Sequence, residues 1–189
     1  WGYNFAHTYL TFEFENSDFL SVSVEARKKV DQDYNPLLGF FNFYNLFYMI
    51  VDEKDITTLR TVVRDDPLYS YKLKLSQEEK NNLLNQVMQR ANKTKSDTEF
   101  YNTVFSSCTT NVFDSVNSIL DKENKIGFDW KILFPEDSAK IFYDKKMLDI
   151  DYAKFPTYEQ LKQSSNIQQV ARENRNLDSK EFSKIIHSQ

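Results

Sequence analysis

An α+β fold, with an antiparallel sheet of about five strands packed against helices, is what this chain of 189 residues predicts. Two observations carry that expectation. The apolar pattern changes once along the chain, alternating with period two up to about residue 75 and afterwards recurring at spacings of three and four. The early strands are joined by short clusters of turn residues, so neighbouring strands run antiparallel. With 40% hydrophobic and 15% aromatic residues, the chain is long enough for one domain with a substantial core and short for two.

The first element is a hairpin of Thr8 to Phe14 and Phe19 to Glu25, with Glu15-Asn16-Ser17-Asp18 as its turn. Leu10, Phe12, Leu20, Val22 and Val24 share one parity. Matching these apolar faces requires paired residue numbers with an even sum, because a slip of one residue turns every side chain to the other face. A sum of 32 pairs Leu10 with Val22 and Phe12 with Leu20, and it sets His7 opposite Glu25 on the other face. Pro36 to Gly39 marks a short helical turn. Leu46 to Val51, Thr57 to Val63 and Leu68 to Leu75 are rich in β-branched and aromatic residues and read as three more strands, with Asp52-Glu53-Lys54-Asp55 and Asp65-Asp66-Pro67 as turns.

The helical part begins at Ser76, with Glu79 as its capping-box partner, and carries Leu83, Leu84, Val87, Met88 and Ala91 as an apolar stripe to about Lys93. A short helix from Thr98 is expected next, then a helix through Cys108 that ends near Asp121 to Asn124. Aromatic loops and short helices come after it. A helix from about Tyr158 to Glu173, and one capped by Asp178 with Glu181, complete the chain.

Composition narrows the function classes. The net charge of −4 comes from 24 basic and 28 acidic residues mixed throughout, with no basic block, so nucleic acid is not an expected partner. No run of 18 apolar residues exists to span a bilayer. The chain begins at Trp1 rather than Met, which leaves open a removed signal peptide, membrane anchor or further domain. A lone cysteine excludes an intrachain disulfide and metal sites built on cysteine pairs, and no metal or cofactor is expected.

That cysteine, Cys108, stands in Ser106-Ser107-Cys108-Thr109-Thr110-Asn111, a run of weak helix formers between stretches that read as helix. Two readings of it stand. A helix start at Ser106 or Ser107 puts the thiol among unpaired N–H groups at the positive end of the helix dipole, where a thiolate nucleophile is favoured. An uninterrupted helix instead puts Cys108 on a buried stripe with Tyr101, Val104, Phe105, Val112, Val116 and Ile119, as a small hydrophobe. The chain offers two histidines as a base. His187 lies near the C-terminal end, where chains fray, so His7 is the candidate. Glu25, opposite His7, is positioned to fix its tautomer and stabilise its imidazolium, or else to form a cross-strand ion pair.

His7-Thr8, Val22 to Arg27, Asp52-Glu53-Lys54-Asp55 with Leu59-Arg60-Thr61, Phe100-Tyr101-Asn102-Thr103 and Cys108-Thr109-Thr110-Asn111 together resemble the Lnb N-terminal periplasmic domain family. The tail from Asn166-Ile167 to Ile185-Ile186 is similar to the family's terminal pattern. Ser106-Ser107 departs from it, standing where the family has two asparagines. The resemblance implies a permuted papain-like, or NlpC-like, thiol enzyme in which the histidine strand precedes the cysteine helix. It implies a periplasmic or otherwise extracytoplasmic place, with membrane attachment through flanking segments, since the named relative is a membrane-attached enzyme that N-acylates lipoproteins. Carried onto this chain, Cys108 is the nucleophile, His7 the general base and Glu25 the orienter.

The expected chemistry is acyl transfer through a thioester, with a lipid or lipoprotein acyl substrate. Tyr101 and Asn111 flank the cysteine as candidates to complete an oxyanion or substrate pocket, against readings as a core tyrosine and a solvated asparagine. Arg27 and Arg60 are candidates for an anionic lipid headgroup, against readings as solvated surface. Three functions remain in play. A lipoprotein N-acyltransferase predicts an apolar groove leading to Cys108. A cell-wall or protein peptidase or amidase predicts an open polar cleft. A non-catalytic interaction domain predicts a fully buried Cys108 with His7 out of reach.

Overall fold

The computed structural model describes residues 7–127, 129–133 and 135–188; Trp1 to Ala6 lie outside the described residues. Among these, the fold is mixed α and β, with a four-stranded antiparallel sheet and eight α-helices. The sheet runs β1 (Tyr9–Glu13), β2 (Phe19–Arg27), β3 (Tyr44–Asp52) and β4 (Phe100–Tyr101), each strand beside the next. The helices are α1 (Pro36–Phe40), α2 (Glu53–Thr58), α3 (Gln77–Ser96), α4 (Cys108–Ile119), α5 (Pro135–Asp144), α6 (Tyr158–Ser164), α7 (Gln168–Glu173) and α8 (Ser179–His187).

The hairpin register is the expected one, with Leu10 opposite Val22 and Phe12 opposite Leu20. Because side chains alternate across a strand, it divides the sheet into two chemically different faces. Val22, with Leu10 and Phe12 against it, packs on Leu83 and Val87 of α3, Phe113 and Val116 of α4, and Phe142 of α5. The Phe113 and Phe142 rings stack at 4.7 Å, and truncating Phe113 to Ala costs about 3–5 kcal/mol on general grounds. The opposite face carries Tyr9, Thr11, Ser21 and Ser23. Ser21 and Ser23 are fully buried there, and Tyr9 joins a second core of Leu68, Ile167, Ala171, Phe182 and Ile186.

Five expectations need correction. The predicted turn and strand from Asp52 to Val63 is instead α2, continued by a wider π-helical turn over Leu59–Val63. Asp52 accepts the Lys54 N–H at 2.9 Å as an N-cap, and Glu53 and Asp55 lie in the first turn. Glu53, Ile56, Thr57, Arg60 and Thr61 are the buried positions, a helical spacing that overrides the strand preference of the β-branched residues. Leu68 to Leu75 is extended but stands outside the sheet. It is a strap bridged to later segments at Tyr69 with Asn166 and at Leu73 with Leu148.

The predicted helix from Thr98 is β4 followed by a tight turn, in which the Asn102 carbonyl Oδ1 accepts the N–H groups of Val104 and Phe105, both at 2.9 Å. The predicted helix over Tyr158 to Glu173 is two helices. Its break falls at Ser165 to Ile167, where Ser70 N–H donates to the Ser165 carbonyl and Ile167 N–H donates to that of Leu68. The Cys108 helix also stops earlier than expected, at Ile119.

At Gly39, α1 closes against the turn after β4. A Cβ there would fall 2.5 Å from Thr103 Oγ1 and 2.7 Å from the Tyr34 hydroxyl, so only glycine lets α1 seat this closely.

Candidate functional site

The helix break expected before Cys108 is present. Ser107 is the N-cap of α4, in a capping box with Thr110, so Cys108 is the first helical residue. Asn111 reinforces this end by donating from Nδ2 to the Ser107 carbonyl at 2.9 Å. The α4 start meets the chain just ahead of β1, where Thr8 Oγ1 and Thr109 Oγ1 hydrogen-bond at 3.1 Å. His7 is thereby carried to the thiol. Two of the residues singled out from the sequence, 101 positions apart, come close enough for the imidazole to act on the thiol.

His7 Nε2 lies 3.0 Å from Glu25 Oε1 and 2.5 Å from Ser23 Oγ, leaving Nδ1 as the ring nitrogen for sulfur. Ser23 Oγ in turn donates to Glu25 Oε1 at 2.8 Å, and Arg60 Nη2 donates to the same oxygen at 3.0 Å. Arg60 is itself buried, with Asp66 on its far side at 3.8 Å. The order in space is thiol, imidazole, carboxylate, guanidinium.

Charge is set by this order. Burial opposes ionisation of Cys108, but the facing His7, the Thr8 N–H and the Thr109 hydroxyl outweigh it and bring the thiol down to about 6. Burial likewise opposes protonation of His7, and the sulfur and the Glu25 carboxylate outweigh it, raising the imidazole to about 9. Glu25 is held down at about 2, against its own burial, by His7, Arg60 and Ser23. The favoured state between these limits is a thiolate facing an imidazolium.

The other residues named from the sequence divide. Tyr101 is at the site, where its hydroxyl accepts the Cys108 N–H at 3.3 Å. Tyr34, not foreseen, packs edge-on against Tyr101 at 5.9 Å. Asn111 is buried and one turn in, where its Oδ1 takes Tyr48 and Arg90 rather than facing sulfur. Arg60 is interior, a support for Glu25 and not a surface contact for a headgroup. Arg27 is exposed at the end of β2. Ser23 was missed as well, although the polar parity of Ser21, Ser23 and Glu25 was its available signal.

Cys108 is only 3% exposed. The larger described cavity, about 400 Å³, is lined by Phe14, Phe19 and Asp52, and a smaller one by Arg90, Asn111 and Asp114; neither is lined by Cys108. His187, expected to fray, is instead fixed in α8. Its Nε2 lies 2.9 Å from Glu53 Oε1, and its ring stacks on Phe19 at 5.1 Å.

Comparison with known proteins gives one family. The model of the Lnb N-terminal periplasmic domain matches residues 3–136, a span that includes His7, Glu25, Arg60, Tyr101 and Cys108. No curated protein and no solved structure matches the chain.

Proposed function

This chain belongs to the Lnb N-terminal periplasmic domain family, which makes it an extracytoplasmic domain of an Lnb-like envelope protein, and from that premise we propose that it is a cysteine-dependent acyltransferase using Cys108, His7 and Glu25. The observation that carries the proposal is the placement of buried Cys108 beside a histidine that acts on its thiol and whose Nε2 is held by a carboxylate. His7, just ahead of β1, precedes the helix that starts at Cys108, and this chain order is compatible with the permuted papain-like reading.

The reaction runs in two steps. His7 holds the proton taken from Cys108, and the thiolate attacks the ester carbonyl of a lipid donor. The developing oxyanion is met by the Tyr101 hydroxyl, whose oxygen accepts the Cys108 N–H at the α4 start and whose proton turns to the oxyanion. The C–O bond breaks, His7 gives its proton to the departing alcohol, and a thioester remains. An amine, that of a lipoprotein N-terminus in this reading, then attacks the thioester. His7 takes the amine's proton, the C–S bond breaks and Cys108 returns as thiolate. Glu25 touches neither reactant; it positions His7 and stabilises its charged form.

The burial of Cys108 favours a second reading, a non-catalytic domain that keeps the scaffold. Within the enzymatic reading, it requires the cover over the thiol to move before a donor enters.

The test is a chemical trap. The protein is incubated with a phospholipid in detergent micelles, with no amine present, and its intact mass is measured. The proposal expects one added acyl chain, removable by neutral hydroxylamine and absent from Cys108→Ala. Unmodified protein across donor lipids, while a small alkylator still labels Cys108, would leave the scaffold reading in place.

A further inference from the structure

One end of the sheet exposes a concentration of large apolar side chains that the core does not use. Leu37, Phe40, Phe41 and Phe43 are 72%, 48%, 75% and 57% exposed, and Phe105 is 75% exposed. They form one surface because the backbone ties them together. Asn102 Nδ2 donates to the Phe40 carbonyl at 2.9 Å and to Asn42 Oδ1 at 2.7 Å, and Thr103 Oγ1 donates to the Pro36 carbonyl at 3.0 Å. Taking about 200 Å² for each Phe, the aromatic part alone exposes on the order of 500 Å², at the upper end of what monomers leave in water.

Charge and position select the occupant. Arg27, Lys28 and Lys29 leave the end of β2 beside this surface, since Arg27 pairs with Asn45, two residues from Phe43. All three are exposed, and no ion pair among the described residues engages them. Asp31 and Asp33 come next, so the segment 27–43 carries an excess of positive charge in a chain that is negative overall. Cations beside exposed phenylalanines are the combination that suits a bilayer interface, with rings at the acyl boundary and charges at the headgroups.

The same surface borders the thiol. Phe105 is three residues before Cys108, and Gly39 of α1 seats on Tyr34, which packs on Tyr101, whose hydroxyl meets the Cys108 N–H.

We propose that the α1 and Asn102–Ser106 end of the molecule docks onto a bilayer containing anionic lipid, with Phe40, Phe41, Phe43 and Phe105 entering the leaflet. This deepens the acyl-transfer reading, and rests on it, by assigning the donor to the bilayer rather than to a soluble ester. Docking sets α1 and the Asn102–Ser106 turn, which border Cys108 through Tyr34 and Tyr101, against the leaflet from which an acyl chain would come.

The test is vesicle flotation of the whole chain, with phosphatidylcholine vesicles and with vesicles that also contain phosphatidylglycerol. The proposal expects flotation on the mixed vesicles, weakened by salt, and a fall in affinity of about tenfold or more in the double variant Phe41→Asp with Phe105→Asp. Both positions are largely exposed, so the variant keeps the native thermal midpoint. Val63→Asp, exposed elsewhere, should float as the native chain does. Absence of flotation, or flotation equal in the double variant, overturns the proposal. So does a native chain that stays in solution and sediments as a dimer, which assigns the surface to a second copy. Cys108→Ala should float normally: flotation without a thioester breaks only the acyl-transfer reading, and a thioester in micelles without flotation breaks only this one.

Discussion

His7 meets Glu25 at 3.0 Å and His187 meets Glu53 at 2.9 Å, yet only the first histidine has sulfur on its other side. Glu25 Oε1 gathers His7, Ser23 and Arg60, so its charge is distributed over a chain of groups leading to Cys108. Glu53 places one oxygen on His187 and buries the other without a partner. The neighbouring Lys54 ties the Leu177 carbonyl at 2.6 Å, so the second pair belongs to the attachment of α8 to α2. A histidine and a carboxylate at contact distance therefore do not define a site. What stands beyond the imidazole does.

Substitutions should separate the two pairs. Cys108→Ser has the largest expected effect, a loss of thioester turnover of about 10³-fold or more with the thermal midpoint retained, measured by intact mass and product release. His7→Ala should lower transfer by about 10²-fold or more, measured on the same donor, because proton removal from sulfur and return to the leaving group both fail. Glu25→Gln should cost about tenfold and should also move the pH profile. Glu25 helps raise His7, so a neutral amide lowers the imidazole's pKa, and the alkaline limb of activity should retreat below its native position near 9. An unmoved limb would reduce Glu25 to a structural partner. His187→Ala, the smallest for catalysis, should leave transfer unchanged while destabilising the fold by about 1–3 kcal/mol, since Glu53 remains buried without its partner. A loss of transfer in that variant at a temperature where it is folded would erase the contrast.

The parts that were legible in the sequence are those set by local rules. Strand parity fixed the facing of His7 and Glu25, because an even register is the only one that keeps Leu10 and Val22 on the same side. Small hydroxyl residues fixed the helix start at Ser107. The segment from Asp52 to Val63 was misread because its β-branched residues favour a strand in isolation, while burial of Ile56, Thr57, Arg60 and Thr61 against other elements demands a helix. Arg60 could not be placed on Glu25 until that segment became a helix. The pair of His187 with Glu53 joins elements 134 positions apart, and no local pattern encodes such a contact.

The central claim is that His7 ionises Cys108, and the pH dependence of thiol labelling addresses it most directly. A small alkylator applied across a pH series should show labelling of Cys108 rising with a midpoint near 6 in the native chain, and at or above the ordinary thiol value of about 8.5 in His7→Ala, where burial acts without the imidazolium. The midpoint, rather than the rate, is the quantity to compare, because burial slows entry in both proteins. Midpoints that coincide at or above about 8.5 would contradict the account and leave Cys108 a core thiol.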